Sequence, residues 1–128
     1  MSTPCTVLVV DDAMTVRKFH RAVLEGAGFA VEEAMDGVEA LERALSASRP
    51  FGLLLVDVNM PGLDGYSLVT RLRGEASLAA TPVIMISSER EPRDAELGFA
   101  AGANLFLVKP VRPESLSAFV LAMAEPGA

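Results

Sequence analysis

The stretch that most constrains the fold is Phe51 to Gly65, FGLLLVDVNMPGLDG. At its centre is an unbroken apolar run, Leu53-Leu54-Leu55-Val56, closely followed by the turn residues Asn59, Pro61 and Gly62. A run this short, without alternation, predicts a strand buried on both faces, as in the middle of a parallel sheet. It ends on a carboxylate, Asp57. A buried strand gains nothing from a charge at its tip, so this group needs a solvent opening or a partner. An aspartate can also simply start a turn. The choice between the two rests on the other apolar runs.

Those runs end in the same way. Thr6 to Val10 (TVLVV) is a β-branched first strand closed by Asp11-Asp12. A helix from about Met14 should bury Val16, Phe19, Val23 and Leu24 and stop at Gly26 and Gly28, with Arg17, Lys18 and Arg21 on other faces. His20, the sole histidine, belongs to this helix and reads as a surface or boundary residue. Ala30 to Ala34 (AVEEA) carries two glutamates and suits a sheet edge. Asp36 and Glu39 form a D-x-x-E capping box for a helix burying Val38, Leu41, Ala44 and Leu45. The helix after the opening stretch starts near Asp64 and buries Leu68, Val69 and Leu72. Pro82 opens a fourth strand, Val83 to Ile86, which ends at Ser87-Ser88. A helix from about Glu91 runs to Ala101, with Gly102 as its cap. Leu105 to Val108 is a fifth strand, ending at Lys109-Pro110. A last helix, near Pro113 to Ala124, presents Leu116, Phe119, Val120 and Met123 at helical spacing.

Five successive βα units predict an α/β fold, a parallel sheet with helices on both faces. The apolar first, third and fourth strands should be central and the charged second strand an edge. That gives a flavodoxin-like, doubly wound five-stranded sheet of order 2-1-3-4-5, with five helices in a three-layer αβα sandwich. Its binding crevice lies where the winding reverses, between strands 1 and 3 at their carboxyl ends. The chain's 128 residues fit one domain, 1–128, with no linker and no output domain expected. The net charge of −6 argues against nucleic acid as a partner. No apolar run approaches a membrane span, and the first residues lack a signal peptide's basic segment. The single cysteine, Cys5, has no internal disulfide partner, which fits a reducing cytoplasm.

The polar residues that end these strands therefore gather at one end of the sheet: Asp11, Asp12, Asp57, Ser87 and Lys109. Carboxylates in one crevice repel one another unless something neutralises them. An all-oxygen donor set with few protein ligands suits Mg²⁺, and no Cys/His cluster points to zinc. A lysine and a hydroxyl beside carboxylates and a hard cation suit a phosphoryl group. The nucleotide motifs GxxxxGK[ST] and GxGxxG are absent. The nucleophile should then be a side chain, with Asp57 the central candidate.

The motifs VLVVDD, VEEAMDGVEAL, LLLVDVNMPGLDG, PVIMISS and AGANLFLVKP, in this order, resemble response-regulator receiver domains, particularly the single-domain CheY type. The resemblance covers nearly the whole chain. It implies that Asp57 is the phosphoacceptor, receiving phosphate from a histidine kinase or histidine phosphotransfer protein in a two-component system. It implies Mg²⁺ on Asp12, Asp57 and the backbone carbonyl of Asn59, with Asp11 acting largely through water. Lys109 would hold the phosphoryl group, with Lys109-Pro110 in cis. Ser87 and Phe106 would be the switch pair, and Asn59 and Glu89 would tune how fast the phosphoryl group is lost. Ser87 stands where threonine is frequent, and the hydroxyl is kept. Phe106 stands where tyrosine is typical of chemotaxis CheY, so a phenolic contact is lost.

The implied role is a chemotaxis-type signalling protein rather than a turnover enzyme, catalysing only its own phosphorylation and dephosphorylation. It would act on a downstream protein target through the fourth helix, fifth strand and fifth helix. A phosphorelay intermediate or phosphate sink is the alternative. A monomer is expected, with transient dimerisation possible in principle. Two rivals remain. An aspartyl phosphatase of the haloacid-dehalogenase class would carry D-x-D-x-[TV] after its first strand, where this chain has DDAMT. A pseudo-receiver would be a binding module that no longer uses phosphorylation.

Overall fold

A computed structural model of the chain describes residues 5–125. The expected absence of a leader and of a linker concerns residues 1–4 and 126–128, which lie outside the described residues. The elements alternate without exception: β1 (Thr6–Val10), α1 (Met14–Gly26), β2 (Ala30–Ala34), α2 (Gly37–Ser46), β3 (Leu53–Asp57), α3 (Gly65–Arg73), β4 (Val83–Ser87), α4 (Pro92–Ala101), β5 (Leu105–Val108) and α5 (Pro113–Met123). The five strands form one parallel sheet in the order β2-β1-β3-β4-β5. The glutamate-bearing strand is an edge, as its composition requires, and β3 lies at the centre with every residue buried.

Strand periodicity divides the core in two. Val7, Val9, Leu53, Leu55, Ile84 and Ile86 meet Leu24 of α1 and Leu116 and Val120 of α5. Leu8, Val10, Leu54, Val56, Val83 and Met85 point the other way, toward α2 and toward Leu68, Val69 and Leu72 of α3. Burying each such side chain contributes about 1.5–3 kcal/mol, so the sheet's position between the helix layers is strongly set. Among the described residues, no helix is long and apolar enough to cross a membrane.

Three helix faces differ from the sequence expectation. In α1 the buried stripe runs through His20 and Leu24, with Val16 and Val23 half-buried on its flanks, while Phe19 is 51% exposed and His20 only 5%. One residue is a rotation of about 100° on a helix, enough to exchange the two neighbours. In α2 the buried residues are Gly37, Ala40 and Ala44, with Leu41 half-buried; Val38 and Leu45 are exposed. Small residues face inward because α2 approaches its neighbours closely, and a Cβ on Gly37 would lie 2.4 Å from the Leu63 carbonyl oxygen. In α5, Leu116 and Val120 are buried, but Phe119 lies at the rim.

The caps agree in kind. The Asp36 carboxylate accepts from the Glu39 N–H at 2.8 Å, but the Glu39 side chain returns to the Met35 N–H rather than to that of Asp36. Asp64 caps α3 through the Ser67 N–H at 2.8 Å. Directly after β3, Gly65 lets α3 begin against the strand end. A Cβ there would stand 2.6 Å from the Asp57 carbonyl oxygen.

Candidate functional site at the carboxyl end of the sheet

Three residues take the next step in the strand alternation on the α1/α5 side. Asp11 follows Val7 and Val9, Asp57 follows Leu53 and Leu55, and Lys109 follows Leu105 and Leu107. Val10 pairs with Val56, so Asp11 and Asp57 emerge side by side. Lys109 comes from the edge strand, and its long side chain reaches back across β4. Its Nζ lies 3.1 Å from Asp57 Oδ1 and 3.2 Å from Asp11 Oδ2. The Lys109–Pro110 peptide is cis, as expected.

Asp12 joins this group from the loop after β1. Carboxylate oxygens of Asp11, Asp12 and Asp57 all lie within 4.8 Å of one another. Asp57 is 4% exposed. Its burial, and then the charge of Asp11, push its carboxyl up to about 6, although Lys109 pulls the other way. Burial disfavours the charge on Lys109, but the Asp57 and Asp11 carboxylates outweigh it and raise its affinity for the proton. One ammonium thus bonds two of three clustered carboxylates. That imbalance, and a donor set made only of oxygen, fit a hard divalent cation.

Ser87 ends β4 one residue past Ile86, the register partner of Asp57, and is fully buried; its Oγ accepts from the Glu89 N–H at 2.9 Å. Asn59 and Glu89 lie in the exposed loops after β3 and β4, and Asn59 Nδ2 donates to Ser88 Oγ at 3.3 Å. Phe106 is half-buried. Its ring packs over α4 at Gly98, where a Cβ would meet Phe106 Cδ2 at 2.7 Å and the Met85 sulfur at 3.4 Å. The glycine is what admits the aromatic ring between β5 and α4.

Two neighbours of the site were not anticipated. His20 is buried, and desolvation lowers its proton affinity; Asp11 opposes that shift and Lys109 adds to it. Arg17 Nη1 donates to the main-chain carbonyl of Asp11 at 2.8 Å. A basic residue on a surface helix carries no local mark of such a contact, because the bond depends on how α1 docks.

A family model described as the response regulator receiver domain matches residues 7–121. Over 103 residues the chain is 43% identical to the gliding motility regulatory protein of Myxococcus xanthus, covering 80% of this chain and 13% of that protein. It is 36% identical over 110 residues to the transcriptional regulatory protein ResD of Bacillus subtilis, covering 86% of this chain and 44% of the relative. The chain therefore spans less than half the length of these two relatives. Among solved structures, the chemotaxis protein CheY4 of Vibrio cholerae superposes with a TM-score of 0.88 at 36% identity. That match covers 94% of this chain and 99% of the other.

Proposed function

The chain belongs to the response regulator receiver domain family, and we propose that it is switched by phosphoryl transfer to Asp57. Receiver domains are signalling modules of two-component systems rather than turnover enzymes. The observation that carries the proposal is the convergence of one amine and two further carboxylates on a buried aspartate at a strand end. The donor is a phosphohistidine on a histidine kinase or phosphotransfer protein. An Asp57 carboxylate oxygen attacks phosphorus in line. The O–P bond forms as the N–P bond breaks, and the imidazole leaves with the electron pair. Lys109 Nζ, already beside Asp57, offsets charge on the phosphoryl oxygens.

Asp11, Asp12, Asp57 and the Asn59 carbonyl are the groups that would hold Mg²⁺. When bound, the ion supplies further neutralisation of the transferred group. The Ser87 hydroxyl exchanges its bond with the Glu89 N–H for one to a phosphoryl oxygen. Phe106 follows Ser87 by settling deeper against Gly98 and Met85. The acyl phosphate adds up to about −2 charge, which biases two nearly balanced conformations. Exposed apolar side chains on α4 (Leu97, Phe99), β5 (Val108) and α5 (Phe119, Leu121) give the responding α4–β5–α5 face its contact surface for a protein target. Asn59 and Glu89, at the rim, set how readily water reaches the phosphoryl group.

A chemotaxis-type role in the cytoplasm is favoured by the likeness to the Vibrio cholerae protein. Incubation with acetyl phosphate tests the core of the reading. Wild type should take up one hydroxylamine-labile phosphoryl group per chain, and Asp57→Asn should take up none. Label retained in the variant would remove Asp57 as the acceptor.

A further inference from the structure

Arg17 lies on α1, six positions beyond Asp11, and its side chain is 13% exposed. Besides its bond to the Asp11 carbonyl, its Nε donates to Glu33 Oε1 at 2.8 Å. Glu33 lies on β2, next to β1, and its side chain is 11% exposed. Lys18 and Arg21 also reach it, at 2.8 and 2.6 Å. Burial pushes the Glu33 carboxyl up, but the hydrogen bonds from Lys18, Arg21 and Arg17 outweigh it and hold it at about 2. Glu33 is therefore a fixed anion at neutral pH.

A guanidinium is a rigid planar fork, so two bonds in different directions fix its orientation. The Asp11 carbonyl shares one rigid plane with the Asp12 nitrogen. Holding that oxygen fixes the plane that carries the Asp12 N–H and Cα, so the Asp12 side chain is left with only the rotations from that Cα–N bond onward. The rest of Asp11 is already fixed. Its N–H donates to the Ala34 carbonyl at 3.2 Å, and its Oδ1 accepts from the Ala13 N–H at 2.9 Å. Asp12 itself is exposed, so its placement depends on this peptide.

We propose that Arg17, braced by Glu33, is a positioning residue for the acidic pair: it sets the Asp11–Asp12 peptide so that the Asp12 carboxylate faces Asp57 before an ion arrives. This rests on the reading of the acidic cluster as a Mg²⁺ site. The sign of the effect separates it from simple electrostatics. Removing a nearby positive charge should tighten binding of a cation, whereas losing the brace should weaken it.

The test is calorimetric titration of the whole chain with Mg²⁺, alongside amide NMR spectra of the ion-free protein. Arg17→Gln and the charge-conserving Arg17→Lys should each weaken binding about 10-fold, as loss of a supporting hydrogen bond around a metal site commonly does. Both should also shift the Asp12 amide before Mg²⁺ is added. Lys18→Gln, which removes the same charge without touching the Asp11 carbonyl, should bind as tightly as wild type or more so. Should Arg17→Gln not fold, Arg17→Lys decides. Wild-type affinity in Arg17→Lys, or wild-type or tighter affinity in Arg17→Gln, overturns the proposal. Failure of the wild-type chain to bind Mg²⁺ would overturn the site reading instead.

Discussion

Replacing Asp57 by asparagine should make the ion-free protein more stable, although it removes the group on which the site is centred. Burial and the neighbouring Asp11 push the Asp57 carboxyl from 3.8 up to about 6 in the folded chain, even with Lys109 beside it. That difference corresponds to about 3 kcal/mol between the neutral and ionised forms at neutral pH. Asparagine resembles the neutral form in shape and cannot ionise. Lys109 keeps Asp11 as a partner at 3.2 Å, so its charge is not stranded. Local relaxation absorbs part of the gain, leaving about 2–3 kcal/mol. The sign with pH follows from linkage. Between 3.8 and about 6 the folded wild type binds the proton that the unfolded chain releases, so wild-type stability from this group rises as pH falls. The variant's advantage should be full near pH 7.5, small near pH 4 and gone well below the unfolded value of 3.8. Urea unfolding in EDTA, followed by far-UV circular dichroism, measures it. With a slope of about 1–3 kcal/mol per molar urea, the midpoint should rise by about 0.7–3 M. A variant no more stable than wild type at pH 7.5, or an advantage that does not change with pH, would refute the account of Asp57 as a strained buried charge.

Two further outcomes follow from the geometry. Asp12→Ala should weaken Mg²⁺ binding at least about 10-fold in a calorimetric titration, since it deletes one of a few oxygen donors; unchanged affinity would take Asp12 out of the site. Gly98→Ala should push the Phe106 ring outward, because the added Cβ would sit 2.7 Å from Phe106 Cδ2. The helix gains about 1 kcal/mol from alanine's propensity, which offsets part of the lost packing, so the fold should survive. Nuclear Overhauser contacts between the Phe106 ring and the α-proton of residue 98 should weaken, and contacts of wild-type strength would show that the ring is not held by Gly98.

Much of this molecule was legible because its strands are short and unambiguous. The runs ending at Asp11, Asp57, Ser87 and Lys109 gave both the strand positions and the chemistry at their tips, and the two glutamates of β2 marked the edge. The helices were less legible for a physical reason. Phe19 and His20 differ by one step around α1, and a phenyl ring looks the better core residue. Yet the docking of α1 turns His20 inward and leaves Phe19 at the rim. In α2, Val38 and Leu45 looked buried because they are large, whereas close approach selected Gly37, Ala40 and Ala44. Glu33 marked only a sheet edge in the sequence. Its three cations come from α1, so the cluster exists only after α1 has packed beside β2. Arg17 was missed for the same reason, since its target is a carbonyl and every residue has one.

The shared strand parity of Asp11, Asp57 and Lys109 bears on which changes of chain length such a protein can survive. Side chains alternate with a period of two, so deleting one residue within Leu53–Val56 would turn Asp57 toward the opposite helix layer and bring an apolar side chain to the Lys109 amine. The segment from Gly74 to Thr81 lies downstream of Asp57 and ahead of the next strand, so it can lengthen without rotating any of the three. Insertions should accordingly be tolerated between the strands and rejected within them, and the spacing from strand start to polar tip should be the least negotiable length in the chain.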